Sequence, residues 1–339
     1  MADMIPHNQP SLGLEEQAAA ARVLGSGWVA QGPEVETFEH ELCRFFGLPD
    51  GHVLLVSSGS AALYLALWAL DGRGARVGVP VYSCSALRNA VGLAGGECVY
   101  LDCASDSPNV GISNARSDIE ILIAPSMFGL PVALPSVRSY SVIEDLAQSI
   151  GAAIDGRLIG LRGEVGICSF YATKMITSGG QGGAVISRDK ALIDKVRDYR
   201  EFDCRNDARL RFNFQMTDLQ AAVGRAQLNR LHGFIAQRER WFSLYQQAGL
   251  DLVDDKTSGM QPVRYRVAMR SDYPRRVIAA LAVKGVRAIV PIEEFELLDT
   301  AERYPAARAL ANTTVSLPAY PDLRDDDVKR IARIAREAA

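Results

Sequence analysis

Up to Asp189 the chain alternates between two kinds of segment, and this alternation limits what it can fold into. The runs "HVLLV", "RVGVPVYS", "ECVYLD", "IEILIAPSMFG", "SYSVIED", "EVGICSFYA" and "GGAVISR" each read as a strand. Several are apolar almost continuously rather than at every second residue, the pattern of strands covered on both faces. Helical spacing appears between them. Residues 34–47, "EVETFEHELCRFFG", carry apolar side chains on one helical face and close on a glycine. "SAALYLALWAL" follows the first strand as a helix, and another helix is expected from about Ser85 to Ala94. Strands alternating with helices predict an α/β domain with a mainly parallel sheet.

After Asp189 the pattern changes. "KALIDKVRDYREF" and "MTDLQAAVGRAQLNRLHGFIAQRERWFSLYQQAG" are long helical stretches, the second bridging to a smaller unit. "YRVAMRS", "RRVIAALAVKG", "VRAIV" and "DDDVKRIARIAREA" predict strand, helix, strand and terminal helix, a small α+β domain. The expected division is a large domain over residues 1–235 and a small one over 236–339.

Composition narrows the function. A chain of 339 residues that is 48% hydrophobic and 23% charged can bury a sizeable core. Its formal net charge of −3, with no long basic run, argues against a nucleic-acid partner. The N-terminus does not pair a charged region with an apolar one, and no apolar run is long enough to span a bilayer. A cytoplasmic protein without a membrane partner is expected. The 6 cysteines form no CxxC pair and the 4 histidines no ligand spacing, so reduced thiols and no metal site are expected.

In a doubly wound sheet, ligands collect at the carboxyl ends of strands. Three such ends carry chemistry here. "VSSGSAAL" opens a helix after a strand, so its amides and the hydroxyls of Ser57, Ser58 and Ser60 can bind an anion, with Gly59 allowing close approach. The same serines could equally be ordinary N-caps. "VIEDLAQ" ends a strand on Glu144 and Asp145, which could pair with a cationic ring nitrogen or cap the next helix. "SFYATKMITSGGQGG" places Lys174 just past a buried strand, where desolvation can make an amine nucleophilic. A phosphate cradle, a partner for a pyridinium and a nucleophilic lysine are together the parts that pyridoxal phosphate needs.

In their order along the chain, these segments resemble the DegT-type aminotransferases, which act largely on keto sugars attached to nucleotides. "GSGWVAQGPEVETFEHEL" is similar to that family's N-terminal signature, "SSGSAALYLAL" to its phosphate loop, and "IEDLAQSIGA" and "SFYATK" to its aspartate and lysine motifs. "FNFQMTDLQAA" resembles the segment that reaches a partner subunit's cofactor, and "VSLPAYPDLRDDDVKRI" the C-terminal signature. The resemblance implies an aspartate-aminotransferase-like large domain. It implies that Lys174 forms the internal aldimine with pyridoxal phosphate and then moves protons, and that Asp145 keeps the pyridine nitrogen protonated. Gln148 would lie near the ring, and Ser58, Gly59, Ser60 and Ser169 would bind the phosphate. Asn213 would come from the other subunit of a homodimer with shared active sites. Glutamate would be the amino donor and a keto sugar the acceptor.

Some positions depart from the family pattern. Cys84 stands where an aromatic is usual and the nearest aromatic is Tyr82, so either could face the ring. Gln181 replaces a glutamate in the glycine turn, and Gln215 an arginine. These changes keep open a carbocyclic or other non-sugar ketone as acceptor. A sugar dehydratase is a further alternative, although such relatives typically carry histidine in place of Lys174. A regulator or scaffold derived from the fold is the non-enzymatic alternative. Arg211, Arg264, Arg266 and Arg287 are candidates for a substrate anion or are plain surface charges. Trp28 and Phe45 read as core or interface packing rather than substrate contacts, and Tyr320 as lining the cleft or packing between domains.

Overall fold

The computed structural model describes residues 4–112, 118–255 and 257–339. Two helices precede the sheet, α1 (Leu14–Ser26) and α2 (Pro33–Phe46). Pro33 starts α2 at a position that needs no N–H donor, and Gly47 ends it at φ 66°, where glycine carries no steric cost. There follow β1 (Val53–Val56), α3 (Gly59–Ala69), β2 (Arg76–Pro80), α4 (Ala86–Ala94), β3 (Glu97–Leu101), β4 (Ile121–Pro125) and β5 (Ser141–Asp145). The short strands β6 (Ala153–Ile154) and β7 (Arg157–Leu158) form a hairpin before β8 (Val165–Ser169) and β9 (Gly183–Ile186). The remaining elements are α5 (Lys190–Arg200), α6 (Asp218–Gln247), β10 (Met260–Gln261), β11 (Val267–Arg270), α7 (Pro274–Val283), α8 (Pro305–Thr313), β12 (Thr314–Leu317) and α9 (Asp325–Ala338).

The main sheet has the order β1-β9-β8-β5-β4-β2-β3. Every ladder from β3 across to β8 is parallel, and β9 alone runs against its neighbours β8 and β1. The fold is therefore α/β with a mainly parallel sheet, as the alternation of segments predicts. The carboxyl ends of β1, β2, β4, β5 and β8 lie along one edge, where β9 also starts: Gly183 pairs with both Val56 and Ser169.

Strand side chains alternate between two cores. Leu54, Val56, Val165 and Ile167 pack with α3, α4 and α5, whereas Val53, Leu55 and Cys168 pack with α2 and the first half of α6. Helix α6 changes partners along its length. Its apolar residues up to Phe234 join the second core, and from Trp241 onward they join a third core with β11, β12, α7 and α9. The C-terminal hundred or so residues are not all in that third core. Leu297, Leu298, Ala301, Ala307 and Leu310 pack into the first core, against the large sheet.

The small sheet pairs β11 with β12 antiparallel, Val267 opposite Leu317. The run "VRAIV", expected as its second strand, forms no continuous strand. It is divided between two partners, Val286 bridging Ile5 and Ile289 bridging Ser316. Helix α8 and strand β12 lie in a stretch where the sequence reading placed no element.

Candidate active site

A cavity of about 700 Å³ opens at the carboxyl edge of the main sheet. Its floor is made of strand ends. Ser58 is the N-cap of α3, its hydroxyl accepting from the Ala61 N–H at 3.1 Å, and Ser58, Gly59 and Ser60 all line the cavity. The capping reading of Ser58 holds, and the first amides of α3, without a partner inside the helix, face the same cavity. Glycine is required twice at this turn. A Cβ on Gly59 would lie 2.7 Å from the Cβ of Ser169, and one on Gly183 would lie 2.4 Å from the carbonyl oxygen of Ser58. The α3 turn is thus pressed against the ends of β8 and β9, which brings Ser169 beside it.

Strand alternation separates the two carboxylates that end β5. Glu144 points away from the cavity and accepts from the N–H groups of Gly160, Arg162 and Gly163 at 2.9, 2.6 and 2.7 Å. Asp145 lines the cavity, with one oxygen accepting from the Ala147 N–H at 2.8 Å. Burial raises the Asp145 pKa, outweighing that N–H and the Lys174 charge, both of which lower it. The carboxyl group is thus short of positive charge to stabilise its ionised form.

Lys174 sits in the turn after β8, its backbone N–H donating to the Tyr171 carbonyl at 2.9 Å. It lines the cavity, with Nζ 5.6 Å from the centre of the Tyr265 ring. Gln148 lines the cavity too, and its Oε1 accepts from the Phe128 N–H at 2.8 Å.

The opposite wall comes from farther along the chain. Phe128 and Gly129 take positive φ values of 60° and 83°, a left-handed kink at the end of β4. A Cβ on Gly129 would lie 2.8 Å from the backbone nitrogen of Tyr265. Val263 and Arg266 donate backbone N–H bonds to Gly129 and Phe128 at 3.1 and 3.3 Å. These bonds fix the 263–266 segment across from Lys174. Tyr265 is buried, which pushes its pKa up, yet the charges of Lys174, Arg266 and Arg238 with a bond from Thr173 bring it below its ordinary value. Phe295, Leu297 and Leu298 complete this wall.

The other expected site residues divide. Cys84 lines the cavity. Tyr82 is instead fully buried in the first core, its ring edge-on to Phe128 at 6.2 Å. Asn213 is exposed in the segment between α5 and α6, away from the cavity of its own chain, and accepts from the Gln215 N–H at 2.9 Å. The adjoining Phe214 carbonyl accepts from the Ser57 N–H at 2.8 Å, so this segment is anchored beside the α3 turn. Gln181 lines the cavity, and its carbonyl takes a bond from Gln220 at 3.0 Å.

Of the four candidate arginines, Arg266 faces the cavity. Arg211 is paired with Asp198 and Asp207, Arg264 with Glu239 and Asp254, and Arg287 is exposed. Tyr265 was not singled out from the sequence. It starts an ordinary-looking strand pattern, and only the distant kink at Phe128 and Gly129 shows why it lies in the cleft.

A hydroxyl-lined helix terminus, a buried carboxyl and a primary amine thus face one cleft, the equipment of a site that exchanges amines with carbonyls. The profile of the DegT/DnrJ/EryC1/StrS aminotransferase family matches residues 10–336, and the chain belongs to that family. It is an enzyme, an aminotransferase, from a family that depends on pyridoxal phosphate. GDP-perosamine synthase of Vibrio cholerae is 28% identical to it, over 97% of this chain and 97% of the relative. A UDP-N-acetyl-3-dehydro-alpha-D-glucosamine 3-aminotransferase of Acidithiobacillus ferrooxidans is also 28% identical, over 99% and 96%. The crystal structure of the aminotransferase TlmJ from Streptoalloteichus hindustanus superposes with a TM-score of 0.91 at 25% identity, over 99% of this chain and 98% of that one. Among the described residues no helix is long and apolar enough to cross a membrane.

Proposed function

We propose that this enzyme uses pyridoxal phosphate to carry the amino group of glutamate to a keto sugar linked to a nucleotide. The observation that carries this reading is the convergence of Lys174, Asp145 and the α3 terminus on one cavity. The names of the two curated relatives, each an enzyme of nucleotide-sugar chemistry, support the substrate class.

The residues present suit the cofactor. The first amides of α3, with the hydroxyls of Ser58, Ser60 and Ser169, suit a phosphate, and Gly59 keeps that turn close to β8. The buried carboxyl of Asp145 suits a cationic ring N–H, which would favour its ionised form. When bound, the cofactor supplies a carbonyl that exchanges with amines and a ring that accepts an electron pair. Lys174 would supply the amine that holds that carbonyl and, as a general acid and base, would move protons at the reacting centre. Gln148 and Cys84 lie along the cavity as further contacts, and Arg266 offers charge to an anionic part of either substrate. Tyr82, buried in the core, reaches the cofactor only through the residues it supports.

Asn213 points to a homodimer. It is exposed and does not line its own cavity, and Trp28, Leu210 and Phe212 are exposed large apolar side chains that a second copy would cover. In this reading residues 1–235 form the cofactor-binding domain and 236–339 the smaller C-terminal domain, whose Tyr265 and Arg266 line the cavity. A cytoplasmic setting suits free thiols such as the exposed Cys84 and Cys204.

The test is a coupled assay for 2-oxoglutarate with glutamate and a panel of nucleotide-linked keto sugars. Release of 2-oxoglutarate matched by amino-sugar formation is expected. A cofactor-loaded enzyme that releases none with any keto sugar would contradict the reading. Because Cys84 and Gln181, two departures from the family pattern, both line the cavity, the panel should include a carbocyclic ketone.

A further inference from the structure

The segment near the N-terminus ties together parts of the molecule that are far apart in sequence. The Ile5 N–H donates to the Gly285 carbonyl and the Ile5 carbonyl accepts from the Arg287 N–H, both at 2.9 Å, beside the end of α7. His7 shares a hydrogen bond of 2.8 Å with the Ser316 hydroxyl on β12. The Arg266 guanidinium reaches the same hydroxyl at 3.5 Å. The carboxamide of Asn8 then donates to the Thr173 carbonyl at 2.9 Å.

The Thr173 carbonyl belongs to the peptide bond whose nitrogen is that of Lys174. The nitrogen end of this peptide donates to the Tyr171 carbonyl at 2.9 Å, and the oxygen end accepts from Asn8. Thr173 and Lys174 lie in a turn rather than in a strand or helix, so no ladder of backbone bonds fixes their peptide plane. The turn then runs to Gly179 and Gly180, both at positive φ. A bond from a side chain 165 residues away therefore holds the plane from which the lysine side chain departs.

We propose that Asn8 is a positioning residue for Lys174, and that through it the 5–8 segment couples the seating of the small sheet to the reach of the reactive amine. This rests on the reading of Lys174 as the amine that carries the cofactor. Proton transfer depends steeply on placement, and a displacement of about 1 Å can cost on the order of 10²-fold in rate. One hydrogen bond contributes too little to hold the fold together, so its loss should appear in turnover rather than in folding.

The experiment compares the holoenzyme with Asn8→Ala and with Asn8→Asp, which keeps the side-chain size but removes both N–H donors. Borohydride reduction of the wild type first establishes whether Lys174 carries the cofactor; if it does not, the underlying reading fails, and this inference with it. With Lys174 labelled, both variants are expected to lower kcat by roughly 10- to 100-fold. KM for glutamate should change by less than about threefold, because no binding contact is removed. The pH midpoint of the cofactor's visible absorbance change should move in both variants, since the environment of the amine has changed. His7→Ala, which frees the segment from β12 but leaves Asn8, should show a smaller loss of kcat. Wild-type kcat and an unmoved absorbance midpoint in the Asn8 variants would overturn the proposal while leaving the role of Lys174 intact. Loss of the fold in both variants would mark Asn8 as a structural tie and overturn it as well.

Discussion

On the floor of the cleft, Ser58, Asp145 and Ser169 each lie on or within two residues of a strand that is buried over most or all of its length. On the opposite wall, Tyr265 and Arg266 hang from two backbone bonds to a kink at Phe128 and Gly129, and Phe295 is 84% exposed. Ser58, Asp145 and Ser169 are set by sheet register and move only if strands move, whereas Lys174 sits in the turn after β8, held by the Tyr171 and Asn8 bonds. The wall is tied down by those bonds and by Leu297 and Leu298 in the first core, and its exposed part, Phe295, can change without disturbing the sheet. In the proposed reading, cofactor chemistry falls to the strand-end side and substrate choice to the wall.

The largest expected effect lies at Lys174, in the turn just past β8. Lys174→Ala should lower 2-oxoglutarate release by roughly 10²- to 10⁴-fold, the range for removing a group that moves protons. A residual rate near that of wild type would break the assignment. Next comes the pair that ends β5. Asp145→Asn should cost turnover on the order of 10²-fold, as loss of one preorganised charge does, with little change in the urea midpoint. Glu144→Ala should do the reverse, because it leaves the N–H groups of Gly160, Arg162 and Gly163 without their acceptor. A loss of about 3 kcal/mol in urea unfolding is expected, with turnover retained by the folded fraction. Equal effects of the two substitutions on turnover would erase the distinction between the faces of β5.

A smaller effect is expected at the α3 turn. Gly59→Ala places a methyl 2.7 Å from the Ser169 Cβ, an overpacking worth about 1–3 kcal/mol, and should weaken cofactor affinity in a direct titration. On the wall, Arg266→Gln should raise KM for an anionic substrate about tenfold and leave cofactor affinity unchanged. An equal loss of cofactor affinity would show that the two sides are not separable.

The smallest effect concerns pH. His7 is held down to about 3 from an ordinary 6.5, by burial first and then by Arg266, Arg287 and Arg238. The unfolded chain takes up this proton at higher pH than the folded one. His7 therefore adds no pH dependence above about 6.5, and its contribution to stability is lost as pH falls from there toward 3. Urea midpoints measured from pH 7 to pH 4 should fall less steeply in His7→Asn than in the wild type.

The legibility of the sequence follows the same division. The strands and helices of the first half were readable because buried parallel strands have apolar runs and the helices between them a different period. Lys174, Asp145 and the serines of the α3 turn were readable because they sit at strand ends. The residues alone did not choose between Glu144 and Asp145, because strand alternation settles it only once the faces are known, and it was the family resemblance that pointed to Asp145. Tyr82 and Cys84 were equally open, and packing buries the first and exposes the second. Of the wall only Arg266 was a candidate from the sequence; Tyr265 was hidden because its place depends on Phe128 adopting a left-handed backbone, which no local rule assigns to a phenylalanine. The 5–8 segment was hidden because "IPHN" has no period to read, and the bonds that tie it to Thr173, Gly285, Arg287 and Ser316 lie far along the chain.

The most direct measurement is borohydride reduction of the cofactor-loaded enzyme followed by mapping of the labelled peptide. The account predicts a pyridoxyl group on Lys174 alone, lost in Lys174→Ala and retained in Glu144→Ala. A label on another lysine, or a loaded enzyme with no label, would contradict it.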